Sequence, residues 1–422
     1  MPSTQNALRR MTPTRLILIN AMIRIASAAS GQLFAFFLAD RMGAHAGTGS
    51  LVVGLLAGCF YVTELFGAPV AGRIADARGQ RTVLRWGPIF GTLSVLVGAA
   101  AALAGWPVPM LAAALIAARL SEGASAACAV PTTLVLLARV TEGHASRRLR
   151  LMGLFEVTSL VGLIIGYLIA GATWDSLGGL AFLLLPAIYG GAWVLARGGH
   201  TGERSTPERR TQVWPTIREL AGTAGTRPFV VAWLAVNAVL GVWLQQAPYL
   251  LKLPSRSLSQ ALVGGFTGRE IGVIFAAWGA SFLTGIAAWS LLAPNWPRRR
   301  TLAVALLGML IVTGSLAFVN HGAPHAMLGI AVLGILVESG FTPAAFAHMA
   351  DLTDARESSR GMAMGVYSLL LGAGQLAGAG IGAPVVARWK MDGVLACTAI
   401  LAVLALGGVA FMRPFRSRRP VP

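Results

Sequence analysis

Twelve stretches of about 20 apolar residues, each closed off by charge, glycine or proline, run through this 422-residue sequence with little between them. Their bounds are 16–38, 50–71, 83–104, 108–138, 151–173, 177–196, 229–251, 271–292, 301–319, 326–349, 362–386 and 393–412. A helix of about 20 apolar residues crosses the hydrocarbon of a bilayer, and in lipid only helices and closed barrels satisfy every backbone polar group. The pattern predicts an all-α integral membrane protein with twelve transmembrane helices. Composition closes the other route. Charged residues make up 12% and hydrophobic ones 55%, against roughly 25% charged in a soluble domain, so a water-soluble enzyme is excluded.

The 34 basic and 16 acidic residues leave a net charge of +18. In a soluble chain that excess would point to nucleic acid; in a membrane chain it marks the loops that resist translocation. With the N-terminus placed in the cytoplasm, the inner segments collect Arg73, Arg78, Arg81 and Arg85, then Arg139, Arg147, Arg148 and Arg150, the 197–227 connection, residues 298–300, Arg356, Arg360 and the tail from Arg413. The outer loops keep only Arg41, Lys252, Arg256, Arg269, Arg388 and Lys390. Both termini are therefore expected inside a bacterial inner membrane, with the bilayer and not nucleic acid as partner, and the chain as a monomer. The first apolar stretch follows Arg9, Arg10 and Arg15 and is longer than the roughly 7–15 residues of a signal-peptide core, so it reads as a retained span. Cys59, Cys128 and Cys397 sit in apolar runs, the six histidines lack metal-ligand spacing, and no phosphate-cradling loop occurs. No cofactor or metal is expected.

The one long polar break, 197–227, divides the chain into 1–196 and 228–422, six predicted helices each. Within it, 214–220 reads equally as a short amphipathic helix or as solvated linker. An offset of about 212 positions superposes the halves, pairing Pro131 with Pro343, Arg148 with Arg360, Gly162 with Gly374 and Gly166 with Gly378. Duplicated halves are frequent in transporters.

Between the second and third runs stands Gly72-Arg73-Ile74-Ala75-Asp76-Ala77-Arg78-Gly79-Gln80-Arg81. Glycine allows a tight turn, and an aspartate among arginines can form ion pairs that break when helices move. The segment resembles motif A of the major facilitator superfamily at Gly72, Asp76, Gly79 and Arg81, and departs from it at Ala77 and Gln80, which shifts weight to Arg78. The equivalent loop around 294–300 keeps only the basic cluster. Arg119-Leu120-Ser121-Glu122-Gly123 resembles the family's motif B, with Arg119 and Glu122 on one helix face. Gly162 and Gly166 resemble its motif C weakly, because Tyr167 replaces a proline; close helix packing explains them better.

The resemblance covers the whole chain and implies two pseudo-symmetric six-helix halves around a central cavity lined by helices 1, 4, 7 and 10. At 1.5 Å per residue, Arg24, Arg119, Glu122, Asn237 and Glu338 fall near mid-membrane on those helices. Arg119, Glu122 and Glu338 become candidates for proton coupling; Arg24, Asn237, Trp233 and Phe341, with Trp243 and Met327 along the walls, become candidates for the substrate. Glu64 and Glu156 read as gate or structural partners. The function expected first is proton-coupled export of drugs or metabolites by alternating access, in the manner of an antiporter. Proton-coupled import of an anionic metabolite clamped by Arg24 and Arg119 is the second reading, and a non-transporting scaffold or sensor the third.

Overall fold

A computed structural model describes residues 12–140, 145–197, 226–293, 296–354 and 360–412. The 197–227 connection, with 214–220 inside it, lies almost entirely outside the described residues. The described chain is helical: α1 (Pro13–Met42), α2 (Ala46–Arg78), α3 (Gln80–Leu103), α4 (Val108–Val140), α5 (Ala145–Leu177), α6 (Leu185–Arg197), α7 (Thr226–Lys252), α8 (Gly268–Leu292), α9 (Arg298–Asn320), α10 (Met327–Glu338), α11 (Phe341–Asp354), α12 (Arg360–Trp389) and α13 (Met391–Ala410). Short 3-10 turns, Gly43–His45 and Gly178–Leu184, join α1 to α2 and α5 to α6. Eleven runs among the described residues are long and apolar enough to cross a membrane. One of them, Arg150–Arg197, spans 48 residues and folds back at Gly178, where φ is +52°, so it holds two crossings. The fold is that of twelve spans in two six-helix halves.

Two helices, α1 and α8, begin before their apolar runs because their N-termini carry capping chemistry. Thr12 accepts a hydrogen bond from the Arg15 amide at 3.3 Å, with Pro13 in the first turn. Thr267 and Glu270 close a capping box on α8. The tenth span departs from the continuous helix expected over 326–349: it breaks between α10 and α11 at Ser339 and Gly340. The Ser339 hydroxyl binds the Leu336 carbonyl at 2.8 Å, and the Trp289 indole of α8 donates to the Leu336 and Val337 carbonyls at 3.1 Å each. The freed carbonyls thus regain donors, which a helix break inside lipid requires.

Equivalent packing marks the two halves. Gly162 and Gly166 bring α5 onto α1 beside Arg24 and Ala28, and Gly374 and Gly378 bring α12 onto α7 beside Asn237 and Ala238. Arg85 donates to the Ala196 and Arg197 carbonyls at the end of α6, as Arg299 does to the Val409 and Ala410 carbonyls at the end of α13. A cation at a helix C-terminus complements its dipole. The face at which α1 begins and α6 and α13 end is called proximal below, and the opposite face distal.

Candidate functional site

Arg119 and Glu122 form a buried ion pair on α4, 3% and 1% exposed. Two charges at this depth are tolerated only when paired and hydrogen-bonded. Ser27 of α1 supplies a further donor to Glu122 at 3.0 Å. The guanidinium carbon lies 4.8 Å from the Phe60 ring centroid and 5.7 Å from that of Phe34, within cation–π reach. It also borders a narrow recess, about the size of one water, lined by Gly31, Phe34, Ala35, Leu38, Val53, Leu56, Ala57 and Gln245. Arg119 lines that recess and Glu122 does not. Ligand pockets run to about 300–1,000 Å³, so this recess marks where Arg119 meets free space and is not itself a formed solute pocket. Gln245 of α7 reaches across it, donating to the Tyr61 hydroxyl of α2 at 3.4 Å.

Contacts between the halves lock the distal face. Asp175 of α5 accepts from the backbone amides of Gly268 and Arg269 at 2.7 Å each, placing a carboxylate on the N-terminus of α8 where the helix dipole favours it. Gly171 packs against the Gly268 backbone, and Tyr167 meets Phe275 edge-on at 4.9 Å. On the other side, Gly47 and Gly54 of α2 admit the backbone of α12, Gln246 donates to Ser50 O at 2.9 Å, and Tyr249 to Ala46 O at 3.1 Å. Lys252 stands 3.9 Å from Asp40, which also accepts from the Trp174 indole at 2.9 Å.

The other sequence candidates are spread more widely. Arg24 is half-buried, its Nε without a hydrogen-bond partner, and its charge acts on both Glu64 and Glu156. Those two carboxylates therefore belong to one electrostatic group with Arg24 across α1, α2 and α5. Asn237 is buried and donates to Trp233 O at 2.8 Å. Glu338 is the last residue of α10, at the break in the tenth span, and makes no hydrogen bond or ion pair with a described residue. Trp233 and Phe341 are each 3% exposed and stacked on one another, centroids 6.0 Å apart at 20°, inside the core of the second half. Trp243 is half-buried with its indole on Thr398, and Met327 opens α10 at the distal end.

Motif A forms the link between α2 and α3. Gly79 alone joins them, with φ +91° and ψ 139°, a region that essentially only glycine occupies. Gln80 donates to Asp76 at 3.5 Å; Asp76 and Arg78 are exposed and Arg81 is half-buried. Gly72 faces open space, with nothing within 4 Å of an added Cβ. Gly79→Ala is expected to cost on the order of 1–3 kcal/mol and lower the melting temperature in detergent. Gly72→Ala is expected to leave it equal or higher, because alanine favours helix.

Sequence reasoning found the Arg119–Glu122 pair from its i, i+3 spacing. It missed the Asp175 cap, the Tyr61–Gln245 bridge and the Trp289 brace, whose partners are 93, 184 and 47 residues away. The one local signal was the glycine at Gly171, four residues before Asp175.

A family profile described as Major Facilitator Superfamily matches residues 21–267 and 253–422. No curated protein matches the chain. Among solved structures, a point mutant of the nucleoside transporter NupG superposes with a TM-score of 0.74 at 11% identity, covering 96% of this chain and 100% of that one. A D-xylose-proton symporter gives 0.66 at 14% identity, covering 93% and 96%. At such identities the likeness is one of fold.

Proposed function

The chain belongs to the major facilitator superfamily, as a multi-pass membrane transporter rather than an enzyme, and on that premise we propose that it moves a small organic solute together with a proton. The observation that carries this reading is the buried pair itself: Arg119 borders the recess while its partner Glu122 is held from α1 by Ser27. A solute carrying a carboxylate, phosphate or other strong acceptor would meet the guanidinium. Taking Arg119 from Glu122 makes that carboxylate a better proton acceptor, because an opposite charge has been drawn away. By reciprocity a proton on Glu122 frees Arg119 for the solute. Two species that each favour the other's binding travel together.

Export by antiport, the function first expected from the sequence, needs solute and proton to compete for one group, whereas Glu122 is already engaged by Arg119 and Ser27. Import of an acceptor-bearing metabolite is the reading the geometry supports better. The arginine distribution supports a cytoplasmic proximal face, with both termini inside the bacterial inner membrane. The working unit in this reading is a monomer, divided into 1–196 and 228–422 by the 197–227 linker. The present state is closed distally, and the import reading has the solute leave proximally.

Proteoliposomes with an imposed pH gradient test this regardless of protein orientation. A panel of radiolabelled carboxylates, nucleosides and sugars should include a compound that accumulates when the lumen is alkaline. Accumulation only with an acidic lumen would establish antiport instead, and none in either direction would remove proton coupling.

A further inference from the structure

Three arginines stand at the proximal ends of α1 and α3, and among the described residues none of them is paired with a carboxylate. Arg81 and Arg85 are four apart on α3 and share a face; the charges acting on Arg81 are those of Arg85 and of Arg15 in the first turn of α1. Arg85 is fixed by the carbonyls of Ala196 and Arg197, both at 3.3 Å. Arg81 Nε and Nη2 and Arg15 Nε are buried, and none finds a hydrogen-bond acceptor among the described residues. Among the described residues neither guanidinium has an ion-pair partner. Beside them, Val83 and Leu84 are fully buried, so α3 is anchored in the bundle and its first turns cannot simply swing away.

Buried donors without acceptors are costly, and like charges held together repel. Both costs vanish if an anion sits among the three side chains. Forked guanidinium groups match phosphate oxygens in geometry as well as charge, and basic recesses between transmembrane helices at an interface take phosphorylated head groups. We propose that Arg15, Arg81 and Arg85 form a phosphate-binding site at the proximal interface, whose ligand is the phosphate of a lipid head group or free phosphate. The site is independent of the transport reading: it lies at the end of the first half, away from the Arg119 cavity.

Melting curves of the full chain in detergent test it, with phosphatidylglycerol, phosphatidylcholine or inorganic phosphate added. Without additive, Arg81→Gln should melt at or above the wild type, because it relieves repulsion. With phosphatidylglycerol the wild type should rise above the variant, and the concentration for half the effect should be about tenfold higher in Arg81→Gln and Arg15→Gln, as for the loss of a charged hydrogen bond. The same arginine-dependent rise with inorganic phosphate would identify free phosphate as the source; a rise with lipid alone identifies the head group. Should Arg81→Gln fail to fold, Arg81→Lys keeps the charge, loses the fork and should weaken the effect. No rise with any additive, or a rise of equal size and midpoint in wild type and variants, would overturn the site.

Discussion

Glu122→Gln is expected to abolish accumulation driven by a pH gradient while leaving solute binding and solute exchange in place. The amide is a fixed mimic of the protonated carboxyl, so Arg119 is released from its ion pair at every pH and the solute site is permanently available. In the wild type, one linked proton makes solute affinity rise by up to about tenfold for each unit the pH falls across the titration of the pair. In Glu122→Gln that slope should disappear, with affinity fixed near the low-pH value. Glu338→Gln, at a carboxylate that has no described partner, should keep both the slope and the accumulation. If Glu338→Gln loses them and Glu122→Gln does not, coupling belongs to the second half. If both variants still pump, the Arg24 group with Glu64 and Glu156 is the remaining membrane set to examine.

The second large effect concerns the distal closure. Asp175→Ala removes two amide hydrogen bonds at 2.7 Å, both between opposite halves of the fold. A hydrogen bond to a charged group contributes about 1.5–3 kcal/mol. Because Asp175 lies at the exposed edge of the interface, the lower end of that range for the two together is the reasonable expectation. That is about a tenfold shift of the equilibrium towards distally open states. A cysteine placed at Gln245, in a chain freed of its own cysteines, should react about tenfold faster with an impermeant reagent added from the distal side. Asp175→Asn, which keeps one acceptor, should fall between, and Gly171→Val, whose Cβ would meet the Gly268 backbone, should push further in the same direction. Unchanged labelling in all three would show that Asp175 and Gly171 do not hold the face shut.

What could be read from the sequence follows from the physics that governs each part. Spans were legible because burial in lipid demands long apolar runs, and the duplication was legible because Gly162 and Gly374 must both let a neighbouring helix approach. The Arg119–Glu122 pair was legible because partners three apart on one helix need no knowledge of the tertiary fold. Depth along a span, by contrast, says nothing about rotation around it. Trp233 and Phe341 have the right depth for the cavity yet stack on each other in the core, and the charge that acts on both Glu64 and Glu156, read as gate or structural partners, is that of Arg24 on another helix. The break at Ser339 and Gly340 was hidden inside an apolar run, since the indole that braces it comes from another helix. The Asp175 cap has the same character: an acidic residue at the end of one span is unremarkable until the start of α8 is placed beside it.

The central claim is that solute and proton bind together because the solute takes Arg119 from Glu122. Its most direct test is the sign of the proton change on binding. The purified protein, in weakly buffered detergent with a pH indicator, is mixed with the solute that the proteoliposome panel returns. The account predicts proton uptake of up to one per site in the wild type and none in Glu122→Gln. Proton release on binding would contradict it, because a solute that expels the proton must travel against it.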